Sequence, residues 1–191
     1  MRHTLKYWKN RILGSQKAPI TSHETYLNKL LDNGLTIGES FNMLPECVID
    51  FSHCWHIKIG NSVTLAPRVM ILAHDASTKM HLDHTKVKNV VIGNYVFIGA
   101  NSIVLPGVNI GDNVIVGAGS VLTKNVPSNS VVAGNPAKFI CTIEEYLARE
   151  KANMKPSNTF GAEYTLDQQL TQGMKEQMLG CINEQGCLYV F

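Results

Sequence analysis

The sequence predicts an all-β solenoid, in which short strands coil repeatedly around a common core. Aliphatic side chains recur every six residues without a gap, glycine directly follows four of them, and a small or β-branched residue stands four positions after each. A period of six fits neither a helix of 3.6 residues per turn nor a long alternating strand, but it suits short strands joined by tight corners. The recurring aliphatic residues are Ile92, Ile98, Val104, Ile110, Val116 and Leu122.

The same pattern extends upstream of this regular stretch. In each hexad we expect the aliphatic residue to point inward and the glycine to permit the bend at the corner. If three hexads close one triangular coil, residues 37 to 138 supply roughly five coils, with a break between Ile71 and Ile92. A β-sandwich would instead carry turn clusters every 8 to 12 residues. The upstream hexads begin at Ile59, Leu65 and Ile71, and weaker ones at Ile37, Met43 and Ile49.

The flanks of the repeats are suited to cover the two open ends of a solenoid. Residues 20–33 read as a helix capped near Thr21 or Ser22, with Glu24 completing a capping box. A second helix is expected from Ile143, and a third from Leu166 to Leu179, ended by Gly180. The predicted organisation is an N-terminal helical segment (1–34), a solenoid domain (35–141) with a loop insertion (74–89), and a C-terminal helical extension (142–191).

Composition excludes several classes of function. The chain has 191 residues, of which 45% are hydrophobic and 17% charged, and its net charge of +2 is too small to indicate a nucleic-acid partner. The longest apolar run, Val69–Ala73, is far shorter than the ~20 residues of a membrane span.

The first 14 residues are basic but lack the apolar core of a secretion signal. They could form an amphipathic helix, with Leu5, Trp8 and Ile12 on one face, that contacts an anionic membrane surface or packs on its own protein. Five cysteines without metal-ligand spacing indicate reduced thiols, a cytoplasmic location and no bound metal.

The break in the repeat is where we expect chemistry, because solenoid insertions often form the binding face. It contains His74, His81 and His84. Histidine can take a proton near neutral pH, which acylation of a hydroxyl requires. His74 directly follows the strand VMILA and is held by the rigid coil, so it is the predicted base, whereas the other two are expected to be surface residues.

The hexads from Ile92 to Ile140, IGNYVFIGANSIVLPGVNIGDNVIVGAGSVLTKNVPSNSVVAGNPAKFI, resemble the hexapeptide-repeat acyltransferases, whose fold is a left-handed parallel β-helix. They are most similar to the sugar O-acetyltransferase branch, with the maltose and galactoside enzymes and many capsule or lipopolysaccharide modifiers. The resemblance covers about residues 35 to 141. It implies transfer of an acetyl group from acetyl-CoA to a sugar or glycan hydroxyl, in a homotrimer whose active sites lie between subunits.

The resemblance also implies roles for individual residues. His74 matches the family's catalytic histidine, and Ile49–His53 matches its sugar-contacting strand, so that Asp50, His53 and Trp55 are expected to bind the acceptor. Asp50 or a backbone carbonyl could instead orient His74, while Asp75 would point away. The positions that match the family's coenzyme contacts are Ala100, Ala118, Thr123, Lys124 and Lys138. Small residues leave room for pantetheine, and lysines can meet phosphate charge.

Three other functions stay open at this point. The γ-type carbonic anhydrases share the solenoid, but they need a histidine pair on a later coil, and no histidine follows His84. A serine or other small-molecule acetyltransferase is possible, although a serine acetyltransferase would carry a larger helical domain before the repeats. A trimeric scaffold without activity would not need the loop insertion.

Overall fold

The computed structural model describes residues 22–165 and 167–191, and it confirms the solenoid as a left-handed parallel β-helix. Three parallel sheets form the sides of a triangular coil, and the chain visits them in the order A, B, C. The described residues make four complete coils and part of a fifth, as the repeat predicts.

The strands are short, and equivalent strands of successive coils lie side by side. Sheet A contains β1 (Thr36–Ile37), β4 (Ile57–Ile59), β9 (Val90–Ile92) and β12 (Asn109–Ile110). Sheet B contains β2 (Asn42–Met43), β5 (Thr64–Leu65), β10 (Val96–Ile98), β13 (Val114–Val116), β15 (Ser130–Ala133) and, as an antiparallel last strand, β16 (Lys138–Thr142). Sheet C contains β3 (Val48–Ile49), β6 (Met70–Ile71), β11 (Ile103–Val104) and β14 (Val121–Leu122).

The core of the coil is formed by the residues that the period of six marks. All six aliphatic residues between Ile92 and Leu122 are at most 2% exposed, and the residues four positions after them are buried as well. In-register pairing stacks them coil upon coil, for example Leu65 beside Ile98 and Ile98 beside Val116. The prediction that the aliphatic residue of each hexad points inward is therefore confirmed.

The corner glycines are required for a reason other than the predicted bend. Gly60, Gly93 and Gly111, which follow the strands of sheet A, do not have positive φ angles. They lie against the neighbouring coil instead: a Cβ added at Gly93 would stand 2.8 Å from the backbone of Gly111. The left-handed corner conformation occurs two residues later, for example at Tyr95 (φ 55°). Close packing of successive coils thus excludes a side chain at these glycines.

Helix α1 (Ser22–Asp32), which confirms the predicted helix, packs on the first coil. Its Leu30 is fully buried in the core, and its Tyr26 hydroxyl donates to the Ile49 carbonyl (2.8 Å) and accepts from the Ile49 N–H (3.0 Å). The expected cap at Thr21, Ser22 and Glu24, and the expected amphipathic helix with Leu5, Trp8 and Ile12, lie outside what the structure describes.

Two segments leave the coil at the corner that follows sheet C. The first is a 3₁₀ segment, Phe51–His56, between β3 and β4. The second is an antiparallel hairpin between β6 and β9, made of β7 (His74–Asp75), the short helix α2 (Lys79–Leu82) and β8 (Lys86–Val87). The insertion predicted at residues 74–89 is this hairpin.

Residues Glu144–Phe191 form a second compact unit. Helix α3 (Ile143–Asn153) begins where the sequence predicts. A 3₁₀ segment (Pro156–Asn158), β17 (Thr159–Phe160) and a second 3₁₀ segment (Ala162–Tyr164) follow. Helix α4 (Gln172–Gln185) and β18 (Tyr189–Val190) come next, and β18 pairs with β17 in parallel.

The prediction of a helix from Leu166 to Leu179 is wrong in its bounds. The Thr171 side chain caps the start of α4 by accepting from the Met174 N–H, and the left-handed Gly186 ends it, so Gly180 lies inside the helix. Within the described part of the chain, none of the helices has both the length and the apolar character needed to cross a bilayer.

Candidate active site

The candidate site forms where two successive coils depart from the repeat at the same corner. Strands β3 and β6 are neighbours in sheet C, with Ile49 opposite Ile71. Asp50 directly follows β3, and His74 lies three residues after β6, at the start of the hairpin. The pairing of these two strands therefore places the carboxylate of one coil beside the imidazole of the next.

Asp50 is hydrogen-bonded to His74 through both its backbone and its ring. Its Oδ2 accepts from the backbone N–H groups of Ala73 (2.9 Å) and His74 (3.0 Å) and lies 2.5 Å from Nδ1 of His74. Its Oδ1 accepts from the Ser52 hydroxyl at 2.9 Å. An ionised carboxylate can only accept hydrogen bonds, so Nδ1 of His74 carries the proton and Nε2 holds the free lone pair of a base.

The electrostatics keep Asp50 ionised. Burial by itself raises the pKa of Asp50, whose side chain is 1% exposed, but hydrogen bonds from His74, the Ala73 N–H and Ser52 outweigh burial and hold the pKa below its ordinary value of 3.8. Asp75 points away from His74, as expected. It pairs with Lys86 across the hairpin at 2.8 Å, and this hydrogen bond lowers the pKa of Asp75.

A row of aromatic rings extends from His74 along the 3₁₀ segment. The ring centroid of His53 lies 4.9 Å from that of His74 and 5.5 Å from that of Trp55, which in turn lies 5.7 Å from His56. Trp55 is 53% exposed, whereas His53 and His74 have about a third or less of their side chains exposed. The rings are tilted by 41–43° to one another, and Trp55 presents the most exposed apolar face of the row.

The predicted acceptor residues therefore fall into two groups. His53 and Trp55 are accessible beside His74, consistent with contact to a ligand. The geometry disagrees with a contact between Asp50 and the acceptor, because the Asp50 carboxylate is buried and both of its oxygens already bind groups of the protein. Asp50 is placed to orient His74 instead, which is the other role that the sequence leaves open.

Sequence reasoning missed that His53 belongs to the same cluster as Asp50 and His74. Each of these three residues offers one metal-binding atom, and the three atoms lie within 4.8 Å of one another. Nδ1 of His53 is 3.0 Å from the Ser52 hydroxyl and 4.0 Å from Oδ1 of Asp50. One signal was present in the sequence: Ile49 and Ile71 are 22 residues apart instead of the 18 of three hexads, which indicates an excursion between β3 and β4.

The five predicted coenzyme positions lie at two corners of the coil. Ala100 and Ala118 each follow a corner glycine at the ends of the sheet B strands β10 and β13, and Lys138 starts β16 opposite Ala133 of the same sheet. Thr123 and Lys124 directly follow β14 at the end of sheet C, the corner that also carries Asp50 and His74. All but Ala100, which is half-buried, are exposed.

A parallel coil of hexads with a histidine–aspartate pair at an interrupted corner defines a transferase of the hexapeptide-repeat class. Residues 89–124 match the family described as bacterial transferase hexapeptide (six repeats). The chain is 44% identical to protein CapG of Staphylococcus aureus over 124 residues, which cover 62% of this chain and 72% of CapG. It thus belongs to the hexapeptide-repeat acyltransferase family.

Other relatives have named activities. The chain is 38% identical over 122 residues to galactoside O-acetyltransferase of Escherichia coli, covering 59% of this chain but 56% of that enzyme. Among solved structures, a maltose O-acetyltransferase from Clostridium difficile is 27% identical, with a TM-score of 0.51 and coverage of 72% of this chain and 83% of that one. A hexapeptide-repeat acetyltransferase from Vibrio cholerae, solved with acetyl-CoA, is 26% identical, with a TM-score of 0.51 over 57% and 60% of the two chains.

Proposed function

We propose that this protein transfers the acetyl group of acetyl-CoA to a hydroxyl of a sugar or glycan, with His74 as the general base. The observation that carries the proposal is the buried Asp50 carboxylate, 2.5 Å from Nδ1 of His74. The sugar O-acetyltransferases among the relatives support the reaction type, and the acetyl-CoA complex of a family member supports the donor.

The reaction requires two proton transfers, to and from His74, and the exchange of a C–S bond for a C–O bond. Nε2 of His74 takes the proton of the acceptor hydroxyl as its oxygen forms a bond to the thioester carbonyl carbon. The C–S bond then breaks, and the leaving thiolate of CoA recovers the proton from the imidazolium. Asp50 holds Nδ1 and stabilises the positive charge on the ring while it exists, without becoming protonated itself. No covalent enzyme intermediate is needed.

The acceptor is proposed to lie against the aromatic row. A pyranose ring presents an apolar face of C–H groups, which packs well on an aromatic side chain with a high exposed fraction such as Trp55. His53 lies between Trp55 and His74, so a sugar stacked on Trp55 would extend its hydroxyl groups toward the base.

The coenzyme is proposed to contact Ala100, Ala118 and Lys138 at one corner and Thr123 and Lys124 at the other. The small residues leave the coil surface open to an extended pantetheine chain, and the exposed lysines can meet its phosphates. Because the two groups lie at opposite ends of the sheet C strands, a binding site between two copies of the chain accommodates both more readily than one copy alone.

A homotrimer is proposed on the same grounds. The outward side chains of sheet C form an in-register apolar row, Val48, Met70, Ile103 and Val121, beside the candidate site. Val48 is 44% exposed in the single chain. Burial of such a row against a second copy would remove apolar surface from water. Light scattering should give three times the mass of the chain, and a monomer with full activity would contradict a shared site.

The cytoplasm is the proposed compartment, since the thiols of all five cysteines are free. The first test of the function is calorimetric titration with acetyl-CoA, because it needs no knowledge of the acceptor. We expect saturable binding with a Kd between about 1 μM and 1 mM. Release of CoA is then measured with a panel of mono- and oligosaccharides. Absence of binding at several times that range, on the order of millimolar, would contradict the proposal.

A further inference from the structure

Three groups that bind transition metals converge at the corner that carries His74. Nδ1 of His74 and Nδ1 of His53 both approach the carboxylate of Asp50, at 2.5 Å from Oδ2 and 4.0 Å from Oδ1. The ligand atoms of the three residues lie within 4.8 Å of one another. The Ser52 hydroxyl stands among them, 2.9 Å from Asp50, 3.0 Å from His53 and 3.5 Å from His74.

We propose that Asp50, His53 and His74 form a binding site for Zn²⁺ or a similar divalent transition metal, and that the bound metal inhibits the enzyme. Two imidazoles and one carboxylate with a remaining open position are a common ligand set for zinc. Zinc bonds of about 2.0–2.2 Å require the ligand atoms to lie within roughly 4 Å of each other, so His53 has to move by only a small distance.

The surroundings permit this movement. His53 interrupts the 3₁₀ segment with a non-helical backbone conformation (φ −140°, ψ 31°), and its side chain is 27% exposed, so its ring is not locked in the core. Asp50 is the fixed element, because two backbone N–H groups of the next coil hold its Oδ2. Its Oδ1, which accepts from the Ser52 hydroxyl, can turn from that hydroxyl to a cation.

Binding at Nδ1 would abolish the base, an effect that rests on the proposed function. A neutral imidazole has one N–H and one lone pair. When the metal takes the Nδ1 lone pair of His74, the hydrogen bond from Nδ1 to Oδ2 of Asp50 breaks and the ring proton shifts to Nε2. Nε2 can then no longer accept the proton of a hydroxyl. No proton is lost from the ring in this exchange. The metal is therefore an inhibitor here, in contrast to the metal-dependent hydratases with the same type of solenoid.

Calorimetric titration of the chelator-treated protein with ZnCl₂, in the absence of coenzyme, tests the site itself. We expect one saturable site per chain, and the variant His53→Ala should weaken zinc binding at least about tenfold, since the loss of a direct ligand costs no less than the loss of a second-shell group. His56→Ala is the matched control: it removes a histidine of the same segment, whose Nδ1 contacts Asn89, and should leave the affinity unchanged.

Two outcomes of this titration would overturn the site: no saturable binding, or equal binding by the protein and the His53→Ala variant. Should that variant fail to fold, imidazole NMR signals of the unaltered protein decide the question. Zinc must then shift the signals of two histidines: His74, assigned by the loss of its signal in the His74→Ala variant, and His53, assigned by its proximity to the His74 ring. A shift confined to other histidines contradicts the proposal.

Inhibition is measured separately by following the thioester absorbance, because the free thiol of released CoA itself binds zinc. Zinc should lower the initial rate, and a chelator should restore it. Zinc that binds without lowering the rate, or that raises it, overturns the inhibitory role. A protein that binds zinc at one site but acetylates no acceptor would contradict the proposed function and leave the metal site in place.

Discussion

The same type of hydrogen bond joins successive coils at two corners of the β-helix, but its consequences differ between the two corners. At the corner after sheet A, Oδ1 of Asn94 accepts from the backbone N–H and the side-chain amide of Asn61, and Oδ1 of Asp112 does the same for Asn94. At the corner after sheet C, Oδ2 of Asp50 accepts from the backbone N–H of His74. In both cases, a side-chain oxygen of one coil binds a backbone N–H of its neighbour.

The difference lies in what else each oxygen can bind. After sheet A, the partners are equivalent corner residues of successive coils, Asn61, Asn94 and Asp112, which bind one another and form a ladder of hydrogen bonds. After sheet C, both coils leave the period of six, and the neighbour of Asp50 is an imidazole that remains one-third exposed. An interruption of the repeat thus converts a stacking contact into an oriented base that can reach a substrate.

The largest expected effect concerns the base. His74→Ala should lower kcat by about 100-fold or more, because general base catalysis contributes about that factor, while affinity for acetyl-CoA stays nearly unchanged. Steady-state CoA release and calorimetry measure the two quantities. His84→Ala, which alters an exposed histidine of the same insertion, is the control. A kcat within a few-fold of the unaltered protein would remove His74 from the mechanism.

Asp50→Asn tests the carboxylate at the same corner. It should lower kcat, to a smaller extent than loss of His74, and decrease the free energy of unfolding at neutral pH by about 1.5–3 kcal/mol, the contribution of hydrogen bonds to a charged group.

The difference in free energy of unfolding between the unaltered protein and the Asp50→Asn variant should depend on pH. Because the pKa of Asp50 in the folded state is below its ordinary value of 3.8, its stabilisation is present above that value and is lost as the pH falls through the folded pKa. Urea unfolding at a series of pH values measures this. A stability difference that stays constant in acid would show that the charge of Asp50 does not contribute.

A comparison of two glycines tests the close stacking of the coils. Gly93→Ala should destabilise the protein by about 1–3 kcal/mol, since the added Cβ would stand 2.5 Å from Oδ1 of Asp112 and 2.8 Å from the backbone of Gly111. Gly180→Ala has open space around the new methyl group and should instead stabilise helix α4 by about 0.5–1 kcal/mol. Thermal unfolding followed by circular dichroism measures both, and effects of the same sign would refute the explanation by coil contact.

The smallest effect on stability is expected from loss of a hydrogen bond in the ladder after sheet A. Asn94→Ala should reduce the free energy of unfolding by about 0.5–1.5 kcal/mol, because it removes the acceptor of the Asn61 N–H, without changing the activity of the folded enzyme. Asn42→Ala, on the exposed outer side of β2, is the matched control and should have no measurable effect. A loss of activity in Asn94→Ala would mean that the two corners are coupled.

The sequence predicts the coil well because one period determines both burial and pairing. From Ile92 to Leu122 every sixth residue must face the same core, so strands, register and inward face follow from the spacing alone. The C-terminal unit offers no such constraint. There, the capping side chain of Thr171 and the left-handed Gly186 determine the helix. Gly180 does not end it, because an exposed helix tolerates a glycine in its interior.

The candidate site could be predicted only in part. The sequence indicates His74 because it directly follows a regular strand, and it offers Asp50 as one of two groups that could orient the ring. The position of His53 beside both depends on the 3₁₀ segment between β3 and β4, whose conformation has no relation to the period of six. The burial of Asp50 likewise depends on contacts between coils that the spacing does not encode.

The Tyr26 hydroxyl has a consequence for the exposed end of sheet C. An open end of parallel strands is a template on which another chain can add a strand and so start a fibre. At Ile49 the phenol both donates and accepts, and thereby occupies the positions that an added strand would pair with. At the opposite end, the antiparallel strand β16 closes sheet B with reversed polarity. At each end of the coil, one of the three sheets is thus covered by a segment of the chain itself, which blocks the addition of a further strand to that sheet.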